Sequence, residues 1–350
     1  MSMSTHTLSI HQVAWEEMNK LGGLAPLKKI YQLVLNRFKD MDLPLPRLDS
    51  IRGALVDKTT SDPEGRTGRR AKGDFLFERI ANGIYKIYDE EDTYCLLNES
   101  SRSLDVIEKE SVSAVICDHP WKEGKNHKSG NQKNFAQDYE EHTFHYTLED
   151  FKEKYRVLRE GGYLVENVPT ENAENTEYLM NIRQLAKEAG FQFYAIVPWI
   201  KHKTPSNTGR TQKDREYLIF WYKGKKPRRF AEEGKPYFTR EMLPSEFDIP
   251  APSKKSHQAE KPVKLYEKII ELITDPSDVV LDQFCGSGAL IEAAINTKRF
   301  AIGYELMKDH ALKIKERVKL SKLYKMSLTK TSGKKEVELA YDETGQAAFF

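Results

Sequence analysis

The chain has 350 residues, of which 39% are apolar, and 55 Lys and Arg oppose 53 Asp and Glu. The apolar fraction excludes wholesale disorder, the length predicts two folded units, and the balanced total charge by itself indicates no partner. With no apolar run near the roughly 18 residues of a membrane span, no signal peptide pattern, and three cysteines outside any metal-ligand spacing, we expect a cytoplasmic protein without zinc or disulfides.

The first ninety residues predict three helices followed by a hairpin. Helical spacing of apolar residues runs from Ile10 to Leu21, resumes after Pro26, and returns from Leu48 to Lys58. Two β-rich runs then flank Asn82-Gly83, a strong hairpin signal. This order of elements resembles the winged-helix modules found beside DNA-modifying enzymes.

The resemblance implies that residues 1–90 form a DNA-binding winged helix, joined by a linker over 91–106 to the rest of the chain. Its third helix would place Arg47, Arg52 and Lys58 against DNA. The alternative is a winged helix that serves packing or dimerisation.

A predicted buried strand, 113–118, ends in Asp118-His119-Pro120-Trp121. This sequence resembles the DPPW motif of DNA amino-methyltransferases of the N6-adenine and N4-cytosine type. The resemblance implies that the Asp118 carboxylate and the His119 main-chain carbonyl accept the two hydrogens of an exocyclic amino group, while Trp121 stacks on an extruded base. His119 stands where the family has proline. The carbonyl is retained, but the rigidity of the proline ring is lost.

Alternating patterns after the motif predict a continuing α/β sheet, with helices over 148–158 and 174–189 and strands over 162–168, 191–199 and 216–222. Between residues 201 and 240, twelve Lys and Arg outnumber four acidic residues. Such an excess is typical of a phosphate-contacting surface, although a solvated loop can show it too. The family resemblance places the target-recognition region here, at about 201–256. It implies DNA contacts from five basic residues: Arg210, Lys225, Lys226, Arg228 and Arg229.

A strand over 279–282, a glycine-rich turn, a helix and a second strand that ends at Glu305 predict a βαβ unit. The turn resembles the S-adenosylmethionine turn of the amino-methyltransferases, with Lys261-Pro262 at the family's position before the preceding helix. The resemblance implies that the cofactor is S-adenosylmethionine. Its binding residues would be Lys261, Asp282, Phe284, Gly286, Ser287, Gly288 and Glu305.

Together these motifs predict an α/β, Rossmann-like S-adenosylmethionine-dependent methyltransferase fold with a mostly parallel sheet over 107–322, plus the N-terminal winged helix. The catalytic motif precedes the cofactor motif, as in the permuted class of the family. The resemblance implies methylation of an exocyclic amino group in double-stranded DNA, with adenine N6 favoured because the motif begins with Asp. Cytosine N4, RNA, and a non-catalytic DNA-binding protein on a decayed fold remain as alternatives.

Residues 323–350 are polar and predict a disordered tail. Its last five residues, Gln346-Phe350, resemble the peptides with which DNA enzymes dock on sliding clamps, against the alternative of a plain hydrophobic terminus. The sequence leaves the oligomeric state open, with a homodimer as one option, and we expect the protein at bacterial or phage nucleoids.

Overall fold

The computed structural model describes residues 9–60, 75–120, 145–173, 175–202, 214–225, 243–253 and 260–330, with the backbone alone over 323–330. Its N-terminal unit contains three helices and a three-stranded antiparallel sheet in the order β1-β3-β2. The elements are α1 (Ile10–Leu21), β1 (Leu24–Pro26), α2 (Leu27–Asp40), α3 (Leu48–Val56), β2 (Phe77–Ala81) and β3 (Ile84–Ile87).

Local signals explain the bounds of α1. Ser9 caps its first turn, and the side chain of Gln12 completes a capping box. The helix ends at Gly22, whose φ of 112° favours glycine. A Cβ there would lie 2.7 Å from the ring of Tyr94, so glycine also permits a close approach of the next unit. The apolar faces of the helices join β2 and β3 in one core of Val13, Met18, Ile30, Val34, Ile51, Leu55, Phe77 and their neighbours.

The larger unit is built on an eight-stranded sheet in the order β4-β11-β10-β5-β6-β8-β7-β9. Neighbouring strands are parallel except where β8 pairs with β6 and β7. The mostly parallel sheet is therefore confirmed. The strands are β4 (Tyr94–Leu97), β5 (Val112–Cys117), β6 (Leu158–Pro169), β7 (Gln192–Ile200), β8 (Arg215–Tyr222), β9 (Phe247–Asp248), β10 (Val279–Asp282) and β11 (Phe300–Tyr304).

Both faces of this sheet are covered. Ala114 and Ile116 of β5 pack with α6, α7 and α8 on one face. Val115 and Cys117 pack with α4, α5 and part of the N-terminal unit on the other. Alternate side chains of a strand point to opposite faces, which explains why β5 is apolar throughout. These helices are α4 (Leu148–Val157), α5 (Thr176–Glu188), α6 (Val263–Ile273), α7 (Ala289–Asn296) and α8 (Lys308–Lys330).

The strand order changes direction between β10 and β5. From β10 the chain passes through α7 to β11 on one side, whereas from β5 it passes through α4 to β6 on the other. Parallel sheets bind ligands at the carboxyl ends of the strands on either side of such a switch point. The two predicted motifs follow these two strands.

Three parts of the structure differ from the prediction. The predicted linker, 91–106, contains β4, an apolar run of four residues that forms the edge of the large sheet. The predicted tail begins inside α8, whose sparse apolar positions Ala311, Ile314 and Val318 pack on the core. The short strands β1 and β9 carry too few residues to produce a periodic signal.

Candidate active site

Three carboxylates lie at the carboxyl ends of adjacent strands. Asp118 follows β5, Asp282 is the last residue of β10, and Glu305 follows β11. The register pairs Leu281 with Val115 and Asp282 with Gly303, which brings all three ends to one edge of the sheet. The structure thus brings together the predicted catalytic and cofactor motifs, which lie about 165 residues apart in the chain.

Both oxygens of the Asp118 carboxylate are held. Asn167 Nδ2 donates to Oδ1 over 2.9 Å, and Lys261 Nζ donates to Oδ2 over 2.6 Å. Asn167 is on β6, the strand next to β5, while Lys261 precedes α6. Each carboxylate oxygen has two lone pairs, so Asp118 can still accept a further hydrogen. Lys261, predicted from the resemblance to hold the cofactor, therefore contacts the catalytic motif in this structure.

A second carboxylate, Glu216 of β8, extends this network. It accepts from Asn167 Nδ2 over 2.7 Å and from Lys201 Nζ over 2.9 Å, and Lys261 Nζ lies 3.4 Å away. Burial raises the pKa of Glu216, but Lys261 and Lys201 outweigh it and lower that pKa to about 2. Burial lowers the pKa of Lys261, yet Asp118 and Glu216 leave it raised overall. Glu216 and Lys261 are therefore both charged at neutral pH.

The His119 side chain is fully buried beneath the motif. Its Nε2 shares a hydrogen bond with the Tyr178 hydroxyl of α5, and its Nδ1 lies 3.3 Å from Glu166 Oε2. Its ring also lies 4.4 Å from that of Tyr146 and 6.2 Å from that of Phe284, measured between centroids. The imidazole thus connects the end of β5 to a buried polar cluster and to the glycine turn.

Glu166 is the centre of that buried cluster. Lys154 Nζ donates to its Oε1, and both side chains are fully buried. The Tyr146 hydroxyl donates to the same carboxylate at 3.0 and 3.1 Å. Burial raises the pKa of Glu166, but Lys154 and His119 lower it below its ordinary value overall. Burial and Glu166 raise the pKa of Tyr146. The cluster is an anionic carboxylate surrounded by donors.

The glycine turn is held against Glu305. The backbone N–H of Gly286 donates to Oε2 of Glu305, and that of Met307 donates to Oε1, each over 2.8 Å. Gly286 and Gly288 have φ values of 49° and 79°, which favour glycine. A Cβ at Gly288 would also lie 2.8 Å from Cγ2 of Ile314. Positive φ explains both glycines, and close packing is a second reason at Gly288.

Asp282 fits a cationic ligand. Its Oδ1 accepts from the backbone N–H of Phe284 over 2.9 Å. Burial, with smaller contributions from Asp118 and Glu305, raises the pKa of Asp282 to about 7. Within the residues that the structure describes, no Lys or Arg pairs with Asp282. A ligand with positive charge would offset this buried negative charge, and S-adenosylmethionine carries a sulfonium and an ammonium group.

The three cysteines supply no nucleophile to the site. Cys95, Cys117 and Cys285 are free and buried, and burial raises the pKa of all three. They therefore lack the thiolate character of a nucleophile. Over the described ranges, His, Cys, Asp and Glu form no group that could hold a metal ion.

The remaining predicted residues lie beside this site, away from it or outside the described residues. Arg47, Arg52 and Lys225 are exposed, Lys58 and Pro120 are half-buried, and Ser287 lies in the cofactor turn. The described basic residues Lys201 and Lys223 point inward, because Lys201 binds Glu216 and Lys223 donates to the Leu158 carbonyl over 2.7 Å. The predictions outside the described residues concern Trp121, Arg210, Lys226, Arg228, Arg229 and Gln346-Phe350.

Comparison with known proteins agrees with this arrangement. The family model described as DNA methylase, N6_N4_Mtase, matches residues 112–316, which is more than half of the chain. The chain belongs to the DNA methylase family. DNA methylases of this family use S-adenosylmethionine, so the predicted cofactor is confirmed. The matched residues contain β5 and β11 together with both motifs.

Relatives of known name are also methylases. The type II methyltransferase M.HpaI of Haemophilus parainfluenzae is 25% identical over 65% of this chain and 74% of its own length. M.MjaI of Methanocaldococcus jannaschii is 26% identical over 62% of this chain and 88% of its own. YubD of Escherichia coli strain K12, named as a methylase, is 35% identical over 78 residues, and the match spans 34% of that protein.

Two solved structures are similar at lower identity. TTHA0409 of Thermus thermophilus, described as a DNA modification methylase and solved with S-adenosyl-L-methionine, has a TM-score of 0.48 and 24% identity over 65% of this chain and 94% of its own. The cytosine-N4-specific PvuII DNA methyltransferase has a TM-score of 0.48 and 18% identity over 63% of this chain and 84% of its own.

The helices of the described residues include none with the length and hydropathy of a membrane span.

Proposed function

We propose that this DNA methylase transfers a methyl group from S-adenosylmethionine to an exocyclic amino group of a base in double-stranded DNA, with adenine N6 as the acceptor. The observation that carries the proposal is the position of Asp118. Its carboxylate lies at the switch point of the sheet, beside the glycine turn, and Asn167 and Lys261 hold it there.

The residues of the catalytic motif act on the amino group. Its lone pair is delocalised into the base, so the nitrogen is a poor nucleophile until its hydrogens are held out of the ring plane. The Asp118 carboxylate accepts one hydrogen and the His119 carbonyl accepts the other, which localises the lone pair. Because Asn167 and Lys261 fix both carboxylate oxygens, Asp118 is oriented before the base arrives. Trp121 stacks on the extruded base.

The cofactor residues lie on the other side of the switch point. S-adenosylmethionine supplies an electrophilic methyl group on its sulfonium. Glu305 holds the turn through the backbone of Gly286, while Asp282 supplies buried negative charge toward the ligand. Phe284, Ser287 and Gly288 complete the turn. Direct in-line transfer needs positioning and no covalent enzyme intermediate, in agreement with the buried thiols.

The finer assignments belong to the same proposal. Adenine is preferred to cytosine because the motif begins with Asp, and cytosine N4 is the alternative acceptor. The N-terminal unit acts as a winged helix, supported by its element order and by exposed Arg47 and Arg52 on or beside α3. The motif order places the chain in the permuted class. DNA contact by the recognition region 201–256, clamp docking by Gln346-Phe350 and a homodimer remain predictions.

Nucleoside analysis tests the proposed reaction. DNA incubated with the purified full chain and S-adenosylmethionine is digested, and its nucleosides are identified by mass spectrometry. We expect N6-methyladenine from the wild type, none from Asp118→Ala, and an unchanged yield from the control Asp105→Ala, an exposed carboxylate away from the motif. Detection of N4-methylcytosine in place of N6-methyladenine would identify cytosine as the acceptor. Methylation confined to RNA, or DNA binding with no methylation, would overturn the proposal.

A further inference from the structure

The catalytic motif contains a buried imidazole where the family motif has a proline. A proline restricts its own φ through its ring and so stiffens the backbone whose carbonyl accepts an amino hydrogen. Histidine has no such restriction. The His119 side chain nevertheless has no exposed surface and is held by two different elements, α5 and β6.

Strand β6 holds the motif from both faces of the sheet. Successive residues of a strand point to opposite faces. Glu166 accordingly lies beneath the motif, with Oε2 3.3 Å from His119 Nδ1, while Asn167 reaches the Asp118 carboxylate on the other side. The register that pairs Cys117 with Glu166 places the two contacts directly beside the end of β5.

The second support comes from α5. The Tyr178 hydroxyl hydrogen-bonds His119 Nε2, so both ring nitrogens face a polar partner. Tyr146 packs against the same ring and donates to Glu166, which Lys154 neutralises. Because Glu166 and Tyr146 are buried and bonded to each other, and Tyr178 bonds the other ring nitrogen, the imidazole has one favoured position.

We propose that His119 is a positioning residue for methyl transfer, in which the Tyr178–His119–Glu166 contacts hold the His119 carbonyl in place instead of a proline ring. The inference rests on the proposed function, since it concerns the same carbonyl. An error of 1 Å in the position of a reacting group can reduce the rate about a hundredfold. A flexible carbonyl would therefore lower the rate of transfer more than the binding of either substrate.

Tyr178→Phe removes one hydroxyl and keeps the ring, so it tests the contact with little change in packing. We expect kcat to fall by about tenfold, while KM for DNA, the affinity for S-adenosylmethionine and Tm stay close to wild type. Tyr155→Phe is the matched control. Tyr155 is also half-buried and packs in the same core, on the neighbouring helix α4, and among the described residues its hydroxyl has no hydrogen-bond partner.

His119→Pro distinguishes positioning from general stability. The ring of proline would restore backbone rigidity without needing Tyr178. In a His119→Pro background, Tyr178→Phe should therefore cause no further loss of kcat, whereas it costs about tenfold in the wild type. If Tyr178 only filled space, His119→Pro would not restore the kcat that Tyr178→Phe loses.

The outcomes separate this inference from the proposed function. If the wild type methylates DNA and Tyr178→Phe keeps its kcat, the positioning role is wrong and the proposed function stands. If Tyr178→Phe lowers kcat equally in the wild-type and His119→Pro backgrounds, the positioning role is also wrong. If the wild type transfers no methyl group to any nucleic acid, both proposals fail.

Discussion

Asp282, which we propose to face the cofactor, is a single buried carboxylate that would link stability to cofactor binding. Its pKa is raised from the ordinary 3.8 to about 7, mainly by burial and further by Asp118 and Glu305. Between these values the folded chain binds more protons at this group than the unfolded chain. The stabilisation that the protonated Asp282 gives the folded chain is complete below about pH 4 and is lost as the pH rises to about 7.

This coupling predicts that the free energy of unfolding depends on pH differently in Asp282→Asn and in the wild type. Between pH 5 and pH 8, the free energy of unfolding of the wild type should fall by about 2 to 3 kcal/mol more than that of the variant. Urea unfolding at each pH measures the difference. Saturating S-adenosylmethionine should reduce it, because a cation favours the ionised carboxylate. Parallel profiles for the two proteins would contradict the assigned pKa, and Asp309→Asn, an exposed carboxylate, serves as control.

Residues that follow strands could be predicted, while those that support them could not. Asp118, Asp282 and Glu305 each end a recognisable apolar strand, so their position at one sheet edge follows from the parallel order. Asn167 and Glu216 lie within strands that show no motif. Their roles depend on which strands become neighbours, and this pairing has no local signal. Glu166 is a charged residue inside an apolar run of sequence. Among these supporting residues, this is the one local sign of a buried polar role.

At the scale of elements, α8 connects the two sides of the proposed cofactor site. Arg317 on this helix donates to Glu292 of α7 and to Glu260 beside Lys261, each over 2.5 Å. Its Nη1 also lies 3.3 Å from the Ser287 carbonyl in the glycine turn. Burial lowers the pKa of Arg317, but the two carboxylates leave it raised overall. One buried guanidinium therefore holds the turn, α7 and the segment before α6 together.

Arg317→Met should weaken this connection at both ends. It leaves two buried carboxylates without their cation, so the free energy of unfolding should fall by about 3 to 5 kcal/mol. Affinity for S-adenosylmethionine should fall as well, since the Ser287 carbonyl loses its donor. Calorimetric titration and urea unfolding measure the two effects. Lys319→Met, an exposed residue of the same helix, should change neither, and full cofactor affinity in Arg317→Met would refute the connection.

Element prediction succeeded where periodic patterns were long or well capped. The bounds of α1 and β10 agree with the prediction, because Ser9 and Gly22 mark the ends of the helix and three apolar residues before Asp282 mark the strand. Helix α8 was missed because its surface is mostly charged and its apolar stripe is narrow. Strand β4 was assigned to a linker because a four-residue run becomes a strand only when β11 is beside it.

At the scale of the whole molecule, the N-terminal unit is part of the methyltransferase core. Leu24 and Ile84 pack in the cluster that contains Val115 and Leu281 of the large sheet. Ser111, just before β5, donates its hydroxyl to the Asn82 carbonyl over 2.7 Å. Removing the first ninety residues would therefore expose apolar surface of the catalytic unit. Surface substitutions that leave this packing intact are the better test of DNA binding.

Arg47 and Arg52 provide that test, because both are exposed and lie on or beside α3. If both contact phosphates, Arg47→Ala/Arg52→Ala should reduce the slope of log affinity for DNA against log salt by about two units. The methylated sequence should stay the same, because phosphate contacts carry no base information. Fluorescence anisotropy across salt concentrations gives the slope, and sequencing of methylated sites gives the specificity. Lys187→Ala, on the exposed face of α5, should leave both unchanged. A relaxed or altered methylated sequence would instead indicate that α3 reads base edges, and an unchanged slope would remove the N-terminal unit from the DNA interface.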